Sequence, residues 1–341
     1  MNLIRTIAVV GDGIAGWSAA AALKRRVPGV SVAVVPVAGL RPGLVDLVSS
    51  AAPSIGDFHR DIGLDEQDVV VRTGAAVRLG TQFVGPDGVD FVHGYGSAGM
   101  PIDGAPFASL WPREGQDVPY DAYAPAAVLA RAGRFVPAGE GVLGGYAHGL
   151  QIDMPVYRRF IEAYARHLGV VVTASGFAHA AIDGEQVTAL SLDDGGQLVA
   201  DLYVDATGAE VRLIGAFGTD WEDWSAWLPC DGIVRSSGPA DLALPPVDRV
   251  EAIEGGWRMT SWLPARTETF VSTRDAPAEA IRFRCGRRAR AWIGNVVAIG
   301  EAHMVAGPLE GAPLHALHTQ IDRLVASLPD RDFAAVELAN Y

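Results

Sequence analysis

Apolar residues open this chain as a run of strand length, IRTIAVV (Ile4 to Val10), and resume at Ile14 in an alanine-rich helical pattern ending near Leu23 and Lys24. Between them lies Gly11-Asp12-Gly13-Ile14-Ala15-Gly16, a G-x-G-x-x-G turn joining strand to helix. A second apolar run, VSVAVV (Val30 to Val35), completes a βαβ-like unit. Beyond it the rhythm breaks. Leu40 to Ile55 is punctuated by Gly, Pro and Ser and is expected to be loop, and Asp65 to Val71 turns from polar to apolar. AAVRLGTQF (Ala75 to Phe83) reads as one strand. From Val84 to Gly141, Gly, Pro and aromatic residues predict loops and short strands lining a pocket.

Helical spacing returns in IDMPVYRRFIEAYARH (Ile152 to His167), with Asp153 placed as N-cap and Gly169 as the stop. Val170 to Ala174, Gln186 to Leu192 and Leu198 to Val204 read as strands, the last two joined by a hairpin turn at DDGG (Asp193 to Gly196). Asp205-Ala206-Thr207-Gly208 follows as a turn that either lies beside a cofactor or closes the strand without one. Gly256 to Thr273 predicts an aromatic-rich strand pair, NVVAIGEA (Asn295 to Ala302) a buried strand, and Leu314 to Ser327 a final helix. Alternation of strands and helices at both ends, with β-rich material between, predicts an α/β fold. A Rossmann-type dinucleotide-binding domain is interrupted by a β-rich substrate subdomain.

The glycine turn carries the clearest chemistry. Gly11 permits the tight turn, Gly13 lets the backbone approach a diphosphate, and Gly16 lets helix and strand pack closely. The N–H groups of Ile14 and Ala15 open the helix toward an anion. One part of the fingerprint is missing: Pro36 follows Val35 where an acidic residue usually holds the ribose, and the next carboxylate is Asp46. With 341 residues the chain is long enough for a large core, and a net charge of −13 argues against nucleic acid or an anionic membrane as partner. Two cysteines, Cys230 and Cys285, give neither a disulfide framework nor zinc-like spacing. No leader pattern or membrane-length apolar run is visible, so a cytoplasmic location is expected.

Several segments, in order, resemble the flavin-dependent tryptophan halogenases: GDGIAGWSAAAAL, VRLGTQF, FVHGYGSAGMPIDGAPFASLW, IDMPVYRRFIEAYARHLGV, ADLYVDATGAEVRLI, LPCDGIV, FRCGRRARAWIGNVVAIGEA, GPLEG and IDRLVASLPDRDF. The resemblance implies a two-dinucleotide-motif flavoprotein fold spanning 1–341 as one unit. FAD-binding parts are expected near 1–60, 150–215 and 280–330, and substrate-side parts near 75–145 and 216–279. The family's C-terminal helical region is expected to be absent beyond Tyr341. It also implies FAD, reduced by a separate flavin reductase, reacting with O2 and chloride or bromide to give hypohalous acid. That oxidant travels through a tunnel to a lysine and a glutamate beside a small aromatic, indole-like substrate. Gly300-Glu301 matches the place where many flavoproteins hold the ribityl chain, and Asp205 and Gly208 the turn beside it.

Glu310 matches the family glutamate. Taken alone, it is a carboxylate between Leu309 and Gly311, with a raised pKa expected from an apolar loop. Arg78 occupies the lysine position; guanidinium can donate hydrogen bonds but cannot act as an amine nucleophile. The family holds halide partly through backbone N–H groups after the glutamate, and here Pro313 has none. WRMTSW (Trp257 to Trp262) replaces the Trp-x-Trp-x-Ile-Pro wall, keeping Trp257 and placing Met259 and Trp262 in altered surroundings. His93 either contacts substrate or flavin or serves as a structural donor. His303, His315 and His318 do not make a metal set. The departures keep two alternatives open: a non-halogenating flavin monooxygenase or oxidase, and a degenerate pseudoenzyme.

Overall fold

A computed structural model of the protein describes residues 2–114, 117–137, 146–218, 220–241, 243–339 and 341. Part of the expected loop stretch from Val84 to Gly141 (115–116 and 138–141) lies outside these residues. The glycine turn sits at the centre of a six-stranded sheet. Its order is Trp292–Ile293, Val296–Ala298, Leu202–Asp205, Thr6–Val10, Ser31–Val35 and Val171–Val172, parallel throughout except for the first strand. A parallel sheet covered on both faces needs apolar residues on both sides of each strand, and Leu202–Asp205 and Val296–Ala298 are wholly buried.

Among the described residues up to Ala326, the α-helices are α1 (Ile14–Arg26), α2 (Leu44–Leu47), α3 (Ser54–Ile62), α4 (Glu66–Thr73), α5 (Phe107–Glu114), α6 (Pro125–Arg131), α7 (Met154–His167) and α8 (Ala312–Ala326). In α1, every residue from Ile14 to Leu23 is buried; alanine lets the helix pack closely, and Lys24, Arg25 and Arg26 complement its C-terminal dipole. α7 starts where expected, with Asp153 accepting from Val156 N–H. The main core gathers α1, α3, α7 and α8 against the parallel sheet.

The β-rich part is a seven-stranded sheet, ordered Ile281–Arg282, Gly232–Gly238, Arg266–Thr273, Gly256–Leu263, Val247–Ile253, Gly80–Val84 and Asp90–Gly94. All its pairings are antiparallel except Val247–Ile253 with Gly80–Val84. A separate three-stranded sheet pairs Gly149–Gln151 with both Ser50–Ala51 and Ala76–Arg78.

Four expectations are corrected. The segment from Leu40 to Ile55 is not continuous loop: it holds α2, the strand Ser50–Ala51 and the start of α3. These elements are too short for a periodic signal and are held by burial of Leu44, Leu47, Ile55 and Phe58. Ala75 to Phe83 is two strands in two sheets, broken at Leu79, because Gly80 passes so close to His93 that a Cβ would lie 2.1 Å from its carbonyl oxygen. Leu198 to Val204 is likewise divided between Gln197–Leu198 and Leu202–Asp205. The Val84 to Gly141 stretch contains α5 and α6 besides its loops. Among the described residues, no helix is long and apolar enough to cross a membrane.

Candidate functional site

The break at Leu79 positions the chemistry. Arg78 ends a strand of the small sheet, and three residues later Thr81 stands in the large sheet, opposite His93 on one side and Asp248 on the other. Arg78 is fully buried. Its Nε lies 2.7 Å from Asp248 Oδ2 as an ion pair, and Nη2 donates to Thr81 Oγ1 at 2.5 Å. Its Nη1 has no hydrogen-bond partner. Asp248, also fully buried, accepts from Ser50 Oγ (2.5 Å), Ser261 Oγ (2.6 Å) and Gln151 Nε2 (3.1 Å). Four side chains from two sheets thus surround one carboxylate, as a buried charge requires.

Glu310 arrives from the opposite direction, on the turn before α8. Its φ of 55° lies in the left-handed region, which costs a non-glycine residue about 1–2 kcal/mol. Gly311 follows with φ 76°, and a Cβ there would meet the Ala52 nitrogen at 2.8 Å, which fixes the turn against the small sheet. The Glu310 carboxylate meets His93: Nδ1 lies 2.6 Å from Oε1. Burial pushes the Glu310 carboxyl up, but the His93 hydrogen bond, the His93 and Arg78 charges and Thr81 outweigh it and leave it below its ordinary value. The expected upward shift is therefore corrected: the loop is not apolar around this carboxyl. The Glu310 hydrogen bond raises the His93 pKa, with burial opposing. His93 remains exposed, 58% of its side chain reaching solvent.

Strand alternation divides the wall segment. Trp257, Met259 and Ser261 share one face of Gly256–Leu263 and Trp262 takes the other. Met259 is fully buried in the core of the large sheet. Trp257 lines an apolar cavity of about 390 Å³ with Pro308, Leu309, Phe283 and both cysteines. Burial raises the Cys285 thiol to about 11.

At the glycine turn, a Cβ on Gly11 would lie 2.6 Å from the Ala206 carbonyl oxygen and one on Gly16 would lie 1.9 Å from that of Gly11, so both must be glycine. A cavity of about 530 Å³ opens at the α1 N-terminus, bordered by Gly13, Ile14, Arg41, Arg158, Arg159 and Arg235. Arg158 is paired with Asp12 at 2.8 Å. The Ile14 N–H donates to Asp46 Oδ1 at 2.9 Å, and Gly43 N–H to Oδ2 at 3.1 Å. Gly300 packs beside Ala15 and donates its N–H to Gln320. Glu301 accepts from Leu44 N–H; burial, with Asp46 nearby, raises it to about 7 against the pull of the Leu44 and Val45 amides. Asp205 is turned inward: one oxygen accepts from Thr207 and the other from the Leu213 and Ile214 amides. Its carboxylate is thus committed to the turn itself. Gly208 begins the next short helix with φ 59°.

Arg78, His93 and Glu310 are therefore brought together, and the glycine turn lies with Gly300 and Glu301 across α2. Sequence reasoning missed Asp248, Thr81, Ser50, Gln151 and Ser261, which no local spacing marks. His315 binds Ser54, His318 stacks on Phe58 and His303 packs on Tyr341. Among the described residues, no group of three His, Cys, Asp or Glu side chains is placed to hold a metal.

The tryptophan halogenase family model matches residues 6–269 and 263–341. Tryptophan 7-halogenase KtzQ of Kutzneria sp. (strain 744) is 27% identical over 390 residues, covering 98% of this chain and 72% of that protein. Tryptophan 6-halogenase SttH of Streptomyces toxytricini is 25% identical, covering 98% and 74%. The structure of BrvH, a flavin-dependent halogenase from Brevundimonas sp. BAL3, superposes with a TM-score of 0.91 at 30% identity, covering 99% of this chain and 75% of that one.

Proposed function

The chain belongs to the tryptophan halogenase family, and we propose that it is an enzyme acting on a small aromatic, indole-like substrate with O2 and chloride or bromide. FAD is the cofactor, its reduced form supplied by a separate flavin reductase. The residues present fit it. The turn glycines leave room for close backbone approach, the α1 N-terminus has no capping side chain of its own, and the adjoining cavity is lined by four arginines. Gly11, Gly13, Ile14, Ala15 and Gly16 would hold the diphosphate, with Gly300 and Glu301 along the ribityl chain. The parallel sheet with α1 and α8 serves the cofactor, and the seven-stranded sheet the substrate.

When bound and reduced, FAD supplies the chemistry that turns O2 and halide into an electrophilic oxidant. The chain's own residues do the rest. Arg78 Nη1, a buried donor without a partner, offers a hydrogen bond to the oxidant beside Glu310. Glu310 is held ionised by His93 and Arg78, so it accepts the proton lost from the substituted ring carbon. His93, bonded to Glu310 through Nδ1 and open to solvent, passes a proton outward and restores the carboxylate. The observation that carries this reading is the 2.6 Å contact between His93 and Glu310 beside a buried guanidinium. The test is turnover of an indole panel with FAD, flavin reductase and bromide, read by mass spectrometry. Brominated product is expected, and Glu310→Gln should slow its formation at least ~100-fold. Product without halogen, or none, would count against it.

One observation favours a second reading, oxygenation without halide. Pro313 is the second residue of α8 and removes a donor where the family gathers halide. Oxygenated product insensitive to bromide would select this reading.

A further inference from the structure

We propose that Asp46 is an internal substitute for the cofactor's diphosphate, occupying its first anion position until FAD displaces it. α1 has no capping side chain of its own: Gly13 is its N-cap and its first turn holds no acidic residue. The cap comes instead from α2, where Asp46 accepts from the first α1 amide, Ile14 N–H. The same carboxylate fills the space beside Gly13, its oxygens 3.2 and 3.3 Å from where a Cβ would stand. A glycine kept open for a phosphate is thus met by a carboxylate of this chain. Two anions cannot share that N–H, so a diphosphate must move Asp46.

The displacement is not local to one side chain. Asp46 Oδ2 also accepts from Gly43 N–H, and the next amide, Leu44 N–H, donates to Glu301. α2 is therefore fastened at one side to the diphosphate position and at the other to the residue expected beside the ribityl chain. Moving Asp46 releases the Ile14 and Gly43 amides and so undoes one of the two fastenings of α2. The incoming diphosphate carries more charge than a carboxylate and meets Arg41, Arg158 and Arg159 at the same cavity, which favours exchange once FAD is present. Asp46 then sets how much FAD the protein needs, a role that Pro36, lacking a ribose-binding carboxylate, makes more important.

The inference rests on FAD being the cofactor, and the test separates the two. Binding of FAD, and of riboflavin as a probe without phosphate, is measured by flavin fluorescence for the wild type, Asp46→Asn and Asp46→Ala. Both variants should bind FAD at least ~10-fold more tightly, with riboflavin affinity changed less than ~2-fold. Equal or weaker FAD binding by both folded variants would overturn the role of Asp46 while leaving the cofactor in place. No FAD binding by any form would overturn both. If the variants do not fold, hydrogen exchange of the wild type decides. The Gly43 amide, which Asp46 holds, should exchange faster when FAD saturates the protein, and unchanged protection would overturn the inference.

Discussion

Replacing Asp248 by asparagine would leave Arg78 a fully buried cation without its counter-charge. Breaking such a pair from one side costs about 3–5 kcal/mol, so urea denaturation of Asp248→Asn should show a loss of that size. His93→Asn acts on a different quantity. His93 holds Glu310 below its ordinary pKa, so its removal raises that pKa. In the proposed reaction the ionised carboxylate takes the ring proton, so the acid limb of the pH–rate profile should move to higher pH; an unmoved limb would argue that His93 does not act on Glu310. At this scale the sequence showed Glu310, Arg78 and His93 but not what joins them. Nothing near Asp248 in VDRVEAI marks it as the partner of Arg78, because the partnership depends on the parallel register that sets Asp248 opposite Thr81. Ser50, Gln151 and Ser261 each sit alone in ordinary strand sequence and become a network only through pairing.

Among the elements, the long periodic ones were legible and the short ones were not. α1, α7 and α8 carry enough helical repeat to be read directly, and α7 adds the Asp153 cap. α2 has four residues, and its stability comes from Leu44 and Leu47 packing and from two carboxylates outside any helical rhythm. One of them makes a prediction. Glu301 has a folded pKa of about 7, above its ordinary 4.5, so the fold favours the protonated acid. That preference stabilises fully below pH 4.5 and is lost as pH rises to about 7. Glu301→Gln keeps an acceptor for Leu44 N–H without the ionisation. Its melting temperature should exceed that of the wild type at pH 8 and match it near pH 4.5.

For the molecule as a whole, three buried histidines weaken the fold in acid. Burial lowers His59 and His303 to about 4 and His318 well below its ordinary 6.5. The unfolded chain takes up protons near pH 6.5 that the fold refuses, so stability should fall as pH drops from about 6.5 to about 4. Denaturant midpoints across that range check this, and His318→Phe, which keeps the stacking on Phe58, should flatten the slope. The general architecture was readable because strand and helix rhythms alternate at both ends of the chain. The assembly of the site was not, because it lies where two sheets meet at Leu79. That junction also bears on synthesis. Arg78 leaves the ribosome about 170 residues before Asp248. At ~5–20 residues per second, its guanidinium waits on the order of ten seconds or more for the carboxylate that lets it be buried. Until then the nascent small sheet carries a charge it cannot enclose, and the two sheets can close over the site only after the strand bearing Asp248 has been made.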